Sequence, residues 1–252
     1  MLRTRVIPCL LMLNGGLVKT VKFKDPKYVG DPINAVRILN DKEVDELIFL
    51  DIGATTSNAG PNFDLLADIA SEAFMPFGYG GGITTVAQVK RLYALGVEKV
   101  VLNSVTAVNP GLVEEAASIA GSSSVVASMD VRRSWLGKYS VWVRAGREDL
   151  KRDAVTHACE MQRAGAGEIL INSIDRDGVM GGYDLDLIRQ VAAAVTVPVV
   201  AAGGAGELRH FREAVEQGAA GVAAGSMFVF HGKHRAVLIT YPTYEQLEDL
   251  FQ

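Results

Sequence analysis

Glu43-Val-Asp-Glu-Leu-Ile-Phe-Leu-Asp-Ile52 decides the fold, because it has a counterpart 122 residues on, Gly165-Ala-Gly-Glu-Ile-Leu-Ile-Asn-Ser-Ile174. The same offset of 122 carries Gly81-Gly82 onto Gly203-Gly204 and Gly96-Val-Glu-Lys-Val-Val-Leu-Asn-Ser104 onto Gly218-Ala-Ala-Gly-Val-Ala-Ala-Gly-Ser226. Near the start, Val6 to Met12 lies over Val125 to Val131 at an offset of 119. The chain therefore reads as two related halves, about 1–122 and 123–252. A period this long is not that of a solenoid; it points to a duplicated half-domain.

Each half alternates short apolar runs with helical patterns. Apolar runs of four to eight residues suit strands buried on both faces. They are Arg5–Leu11, Leu47–Ile52, Pro76–Tyr79, Lys99–Asn103, Val125–Asp130, Glu168–Asn172, Pro198–Ala202 and Gly221–Ala224. Between them, Val86, Val89, Leu92 and Tyr93 share one helical face, as do Leu208, Phe211, Ala214 and Val215. Asn109-Pro110 reads as an N-cap followed by proline at the first helical position. Leu95-Gly96 and Gln217-Gly218 read as glycine helix ends. Eight strands alternating with helices in two homologous halves predict a closed (β/α)8 TIM barrel as one domain over 1–252. An open doubly wound sheet is the alternative, but it does not divide naturally into two equal halves, and no dinucleotide fingerprint follows the first strand. Leu17 to Phe23 reads instead as a hairpin-like excursion, and Arg133 to Arg147 as a second one after strand five.

Composition agrees with a globular domain. The chain has 252 residues, is 49% hydrophobic and 21% charged, and carries 26 glycines and a net charge of −4. Slight acidity argues against a nucleic-acid or membrane-surface partner, since no basic field collects phosphates. Two cysteines, Cys9 and Cys159, cannot form a disulfide framework, so a reduced cytoplasmic protein is expected. Arg3-Thr4-Arg5 followed by Val6 to Leu13 resembles an export signal but lacks a small-residue cleavage site. Val191 to Gly206 is apolar but is broken by Pro198 and Gly203-Gly204, short of a membrane span.

Barrel chemistry sits at the C-terminal ends of the strands. Two glycine-rich corners stand there, Gly82 with Asn103-Ser104 and Gly203-Gly204 with Gly225-Ser226. Glycine lets backbone N–H groups approach an anion, and a following helix N-terminus favours negative charge. Two such corners imply an elongated ligand with a phosphate at each end; the alternative is that the glycines only make tight turns. Asp51, Asp130, Asp175 and Asp177 are the carboxylates available for proton transfer. Asp130 and Asp51 end apolar strands and should face the mouth, where burial raises a carboxyl pKa; a cap or a loop salt bridge is the plainer reading of each. Asp175-Arg176-Asp177-Gly178 reads either as a self-paired loop or as substrate contacts, with Asp177 and Gly178 the candidates. The histidines, His157, His210, His231 and His234, lie away from strand ends. His231 and His234 lack a third ligand, so no metal site is predicted, and nothing implies a cofactor.

The sequence resembles the cyclase subunit of imidazole glycerol phosphate synthase, the HisF family, along nearly its whole length. The resemblance is carried by Arg5-Val-Ile-Pro-Cys-Leu10, Val18-Lys19, Gly30-Asp31-Pro32, Asp45-Glu46-Leu47, Phe49-Leu50-Asp51-Ile52 and Gly80-Gly81-Gly82-Ile83. It continues through Lys99, Asn103, Asp130, Gly165-Ala-Gly-Glu-Ile-Leu170, Ser173-Ile-Asp-Arg-Asp-Gly178, Gly182-Tyr183-Asp184 and Gly203-Gly204-Ala205-Gly206. The resemblance implies a glutaminase partner on the N-terminal face of the barrel and ammonia passing through to a small phosphorylated substrate at the other end. Arg5, Glu46, Lys99 and Glu168 match the family's charged gate. Two acids and two bases can pair mutually, as a buried charged layer requires; ordinary salt bridges are the plainer reading. Lys19 matches a loop lysine that meets a substrate phosphate.

One departure bears on mechanism. The family carries catalytic aspartates at the ends of strands one and five; Asp130 is the second, and the first position holds Leu11. Losing a positioned acid–base group costs on the order of 10²–10⁴ in rate. Asn14, Gly16, Asn172 and Ala202 also differ from the family's usual polar groups. The run Phe230-His-Gly-Lys-His-Arg-Ala-Val-Leu-Ile-Thr-Tyr-Pro242 is similar to a divergent branch linked to surface-polysaccharide (lipopolysaccharide) synthesis. There, ammonia from a glutaminase converts an acetamido substituent into an acetamidino group, with a separate ATP-dependent amidotransferase for activation. Three readings follow: that amidation-associated subunit, a genuine histidine-pathway cyclase, and a non-catalytic phosphate-binding scaffold. A phosphosugar isomerase would also want the acid–base pair that Leu11 breaks.

Overall fold

The computed structural model describes residues 4–252; Arg3, in the basic start, lies outside the described residues. Eight strands form the barrel: β1 (Arg5–Leu13), β2 (Leu47–Asp51), β3 (Phe77–Gly80), β4 (Lys99–Leu102), β5 (Val125–Arg133), β6 (Glu168–Ser173), β7 (Val199–Ala202) and β8 (Gly221–Ala224). Each pairs in parallel with the next, and β8 pairs with β1 through Arg5↔Gly221 to Pro8↔Ala224, so the sheet closes. The helices that follow them are α1 (Pro32–Asp41), α2 (Phe63–Glu72), α3 (Val86–Ala94), α4 (Gly111–Ala120), α5 (Ala154–Arg163), α6 (Leu185–Ala194), α7 (Leu208–Glu216) and α8 (Tyr244–Phe251). The chain is a (β/α)8 TIM barrel.

Side chains alternate along a strand, so each strand feeds two cores. Ile7, Ile48, Val101, Val126, Leu170 and Val200 fill the lumen. Val6, Phe49, Val100, Val125 and Ile169 point outward, against the helices. Both sets are almost fully buried, which explains the unbroken apolar runs in the sequence.

The two halves repeat their local devices. Asn62 caps α2 through Leu65 N, and Asp184, 122 residues on, caps α6 through Leu187 N, both with φ −82° and ψ 89°. Before α3, Gln88 Oε1 accepts from Thr84 N and Thr85 N; before α7, His210 Nδ1 accepts from Gly206 N and Glu207 N, again 122 residues on. Gly82 packs so tightly that an added Cβ would stand 2.9 Å from Gly60 Cα, and one on Gly204 would stand 2.2 Å from Gly182 O. Gly96 and Gly218 end α3 and α7 with φ of +95° and +99°. Asn109 departs from expectation: α4 starts at Gly111 with Pro110 as its cap and no side-chain bond, because Asn109 already ends the short helix Val105–Val108.

β1 and β5 run on past the rim, longer than the sequence reading, because each feeds an antiparallel excursion. Gly16–Val21 pairs back on β1 and with Lys24–Gly30. Tyr139–Val143 pairs back on β5 and with Glu148–Asp153. Among the described residues no helix is long and apolar enough to cross a membrane.

Candidate functional site

At the N-terminal floor, four charges close a ring. Arg5 begins β1, Glu46 precedes β2, Lys99 begins β4 and Glu168 begins β6. The Arg5 guanidinium donates to both Glu46 and Glu168. Lys99 Nζ lies 2.8 Å from Glu46 Oε1 and 3.2 Å from Glu168 Oε2. Each base thus bridges both acids, and both acids are 4% exposed. Buried charges persist only when paired and hydrogen-bonded, which this ring provides. Above it the lumen is apolar up to Ser128 and Cys9.

The mouth holds one cavity of about 380 Å³ that runs from Leu11, Asp130 and Asn172 at the centre to Gly81-Gly82 and Asn103-Ser104 at the first corner. A second, of about 40 Å³, lies between Gly203-Gly204 and Gly225-Ser226 and includes Lys19, Asp177 and Gly178. Leu11, Leu50 and Asn172 border both.

Asp130 is 8% exposed. Asn103 Nδ2 donates to its Oδ2 at 3.1 Å, and Asn172 Nδ2 to its Oδ1 at 3.4 Å. Burial pushes its carboxyl up to about 7 against those two donors, with the Asp177 charge adding to the rise. Near neutral pH such a group both gives and takes a proton. Across the mouth from it stand leucines: Leu11 is in register with Leu50 on the opposite half, as Asp130 is with Asn172.

Other sequence-predicted residues hold loops in place. Asp51 lines the first cavity, but its Oδ1 accepts from Gly53 N at 2.9 Å and Ala54 N at 3.1 Å, fixing the turn after β2; burial raises its pKa. Gly82 N donates to Thr55 Oγ1, and Ser104 Oγ accepts from Arg144 N at 2.9 Å. Lys19 is not on a loop. It lies on the strand Gly16–Val21, is 5% exposed, and donates from Nζ to Cys9 O at 2.7 Å. An added Cβ on Gly225 would stand 2.2 Å from that Nζ, so the ammonium rests against the second corner. Burial lowers the Lys19 pKa and pushes the Cys9 thiol up to about 11.

The Asp175–Gly178 loop is not self-paired. Asp175 Oδ2 accepts from Arg133 N, and Arg176 donates to Gly181 O and Gly182 O. Asp177 Oδ2 accepts from Thr20 Oγ1 at 2.8 Å and Phe23 N at 3.3 Å, and burial raises its pKa. Gly178 packs against Thr20 O. The loop therefore clasps both excursions, because their main-chain donors lack partners within their own turns.

Sequence reasoning passed over Thr20, Phe23 and Ala145, which roof the first cavity. Phe23 has φ +63° and its ring meets Gly146 of the other excursion, a contact that no local pattern announces. Ser128 and Leu50 were also missed, although the repeat places them at Cys9 + 119 and Asn172 − 122. His157 and His210 are buried packing and capping groups, and among the described residues no cluster of three His, Cys, Asp or Glu could hold a metal.

The histidine biosynthesis protein family model matches residues 5–235. A Pseudomonas aeruginosa PAO1 protein with the provisional name imidazole glycerol phosphate synthase subunit hisF2 is 52% identical over 98% of this chain and 99% of its own. A Vibrio vulnificus YJ016 protein, provisionally subunit hisF3, is 49% identical over 96% of this chain and 94% of its own. Imidazole glycerol phosphate synthase subunit HisF of Alkaliphilus metalliredigens is 41% identical over 92% of each chain.

Proposed function

The chain belongs to the histidine biosynthesis protein family, among its HisF-like subunits, and from that premise we propose that it delivers ammonia for amidation of a phosphorylated or nucleotide-linked sugar in surface-polysaccharide synthesis. The observation that carries the reading is an intact four-charge floor beneath a mouth where Asp130 faces Leu11 rather than a second carboxylate. A HisH-like glutaminase on the N-terminal face releases ammonia, which passes the Arg5–Glu46–Lys99–Glu168 ring into the apolar lumen. A neutral molecule crosses an apolar passage where an ammonium ion does not, because desolvating the ion costs far more. The anionic ends of the acceptor rest at the two glycine corners, with Lys19 at the second.

Amidation of an amide carbonyl needs activation first. A separate ATP-dependent amidotransferase transfers a leaving group to the carbonyl oxygen; ammonia adds to the carbon, and the oxygen departs on that group. Asp130 takes the proton that the added nitrogen sheds. Deleting the gene in its source cell is expected to remove an amidine from the surface polysaccharide, seen by mass spectrometry, and to leave growth without histidine intact. Histidine auxotrophy with unchanged polysaccharide would overturn the reading.

The second reading is a histidine-pathway cyclase working in the cytoplasm with Asp130 and a substitute acid. The names of the relatives and the retained Asn103–Asp130 pair favour it. It requires imidazole glycerol phosphate to form from ammonium and the ribulosyl carboxamide precursor at an ordinary enzymatic rate.

A further inference from the structure

Each base of the floor ring stands beside a glycine. Between β1 and β8, Arg5 is in register with Gly221; between β3 and β4, Lys99 is in register with Gly78. Gly78 faces the lumen, because its neighbours Phe77 and Tyr79 pack outward and its other ladder partner, Ile48, packs inward. Glycine is not a general need of this layer. The residues 122 positions after Gly78 and Lys99 are Val200 and Gly221, which pair in register in their turn. Nor does the backbone require glycine at 78, since its φ lies outside the left-handed region. An added Cβ there would stand 3.4 Å from Lys99 Cβ and O and 3.6 Å from Ile48 Cγ1, all ordinary contacts. Gly80 differs, because an added Cβ would stand 2.8 Å from Val101 O. Glycine weakens a strand interior, so one that neither backbone nor packing demands serves by the room it leaves.

The two bases use their glycines differently. A Cβ on Gly221 would stand 3.7 Å from the Arg5 guanidinium, so the end group of Arg5 lies across its glycine. Around Gly78 the nearest Lys99 atoms are Cβ and O, the root of the side chain. Bonding in the ring differs in the same sense. The Arg5 fork donates to each acid. The Lys99 ammonium has three donors for four carboxylate oxygens 2.8–3.4 Å away, and among the described residues the buried Glu46 Oε1 accepts no hydrogen bond. A planar fork holds both acids in place; a point charge on a flexible stem is shared between them and movable. We infer that Gly78 is the positioning residue that lets the floor open: Lys99 turns about its first side-chain bond and lays its stem over Gly78, while Arg5 keeps both acids. Staggered wells leave few directions for that turn, and a side chain at 78 would fill one of them. The inference rests on the reading that this ring passes ammonia.

Acetylation of the full chain by a small amine-reactive ester at fixed pH tests this, with Lys99 followed by mass spectrometry against exposed Lys42 as the reference. Lys99 reacts when its ammonium leaves the carboxylates. Gly78→Val is expected to slow Lys99 about tenfold or more relative to Lys42, because it overpacks the position into which the stem turns. Gly78→Ala, which fits at ordinary contact distance, should slow it by a smaller factor. A merely loosened strand would act the other way and speed the reaction. Lys99 unchanged or faster in Gly78→Ala overturns the inference, and that variant decides it should Gly78→Val fail to fold. The same variants placed in the deletion strain read the ammonia proposal separately: slowed Lys99 with undiminished amidine on the polysaccharide removes passage through the ring and keeps the turning of Lys99 over Gly78.

Discussion

Replacing Lys99 by methionine breaks the charged floor at one point while keeping a side chain of similar length. In the wild type Lys99 lies 2.8 Å from Glu46 and 3.2 Å from Glu168, and Arg5 bonds both acids from the other side. Without Lys99, two carboxylates that are each 4% exposed share one guanidinium. Removing one partner of a fully buried pair costs about 3–5 kcal/mol. The basic side chains here are 19% and 31% exposed, so water relieves part of the loss and about 2–3 kcal/mol is expected. The double variant Lys99→Met/Glu168→Gln again holds one acid and one base. Its loss should therefore fall below the sum of the two single losses, by about 1–2 kcal/mol of coupling. Urea unfolding of the four proteins at pH 7 and fixed salt measures this. A Lys99→Met variant within about 0.5 kcal/mol of wild type, or strictly additive losses, would refute the picture of a mutually dependent ring.

Gly225→Ala is expected to drive the Lys19 ammonium off Cys9 O, since the new Cβ would stand 2.2 Å from Nζ; phosphate affinity at the second corner should fall about tenfold or more, read by calorimetry. Asp130→Asn tests the buried carboxyl. Its pKa is raised to about 7 in the fold, so the unfolded chain loses this proton first and wild-type stability falls as pH rises from about 4 to about 7. The asparagine variant should escape that fall and gain on wild type by up to about 4 kcal/mol between those limits in parallel urea titrations; no pH-dependent difference would falsify the assignment. Phe23→Ala should open the roof over the first cavity, leave stability within about 1 kcal/mol, and speed proteolysis between Gly16 and Gly30.

The barrel was legible because parallel strands covered on both faces read as short apolar runs. All eight runs coincide with strands; most ends agree to within one residue, and the larger shortfalls fall where β1 and β5 continue into excursions whose antiparallel partners lie outside any local window. The ring at the floor was legible through the resemblance, as strand parity alone does not say which charges meet across a lumen. Corner residues were placed correctly at strand ends, but not their engagements. The resemblance makes Lys19 a loop lysine, although the hairpin-like reading of Leu17 to Phe23 already covers it, and Asp177, a candidate for substrate, is occupied by Thr20 and Phe23. Those contacts join segments about 155 residues apart, a separation at which one sequence carries no pairing signal. The family pattern makes Leu11 a lost carboxylate; only the register with Leu50 turns that loss into an apolar wall. We propose that the half-barrels 1–122 and 123–252 arose by duplication and that this wall records the divergence of one copy.

The central claim is that this mouth no longer runs cyclisation with a carboxylate pair. It is tested by giving ammonium and the ribulosyl carboxamide precursor to wild type and to Leu11→Asp side by side and measuring imidazole glycerol phosphate. The account predicts turnover in wild type lower than that of an ordinary cyclase by a factor on the order of 10²–10⁴, and a rise in Leu11→Asp. Ordinary cyclase turnover in wild type, unimproved by the restored carboxylate, would contradict it.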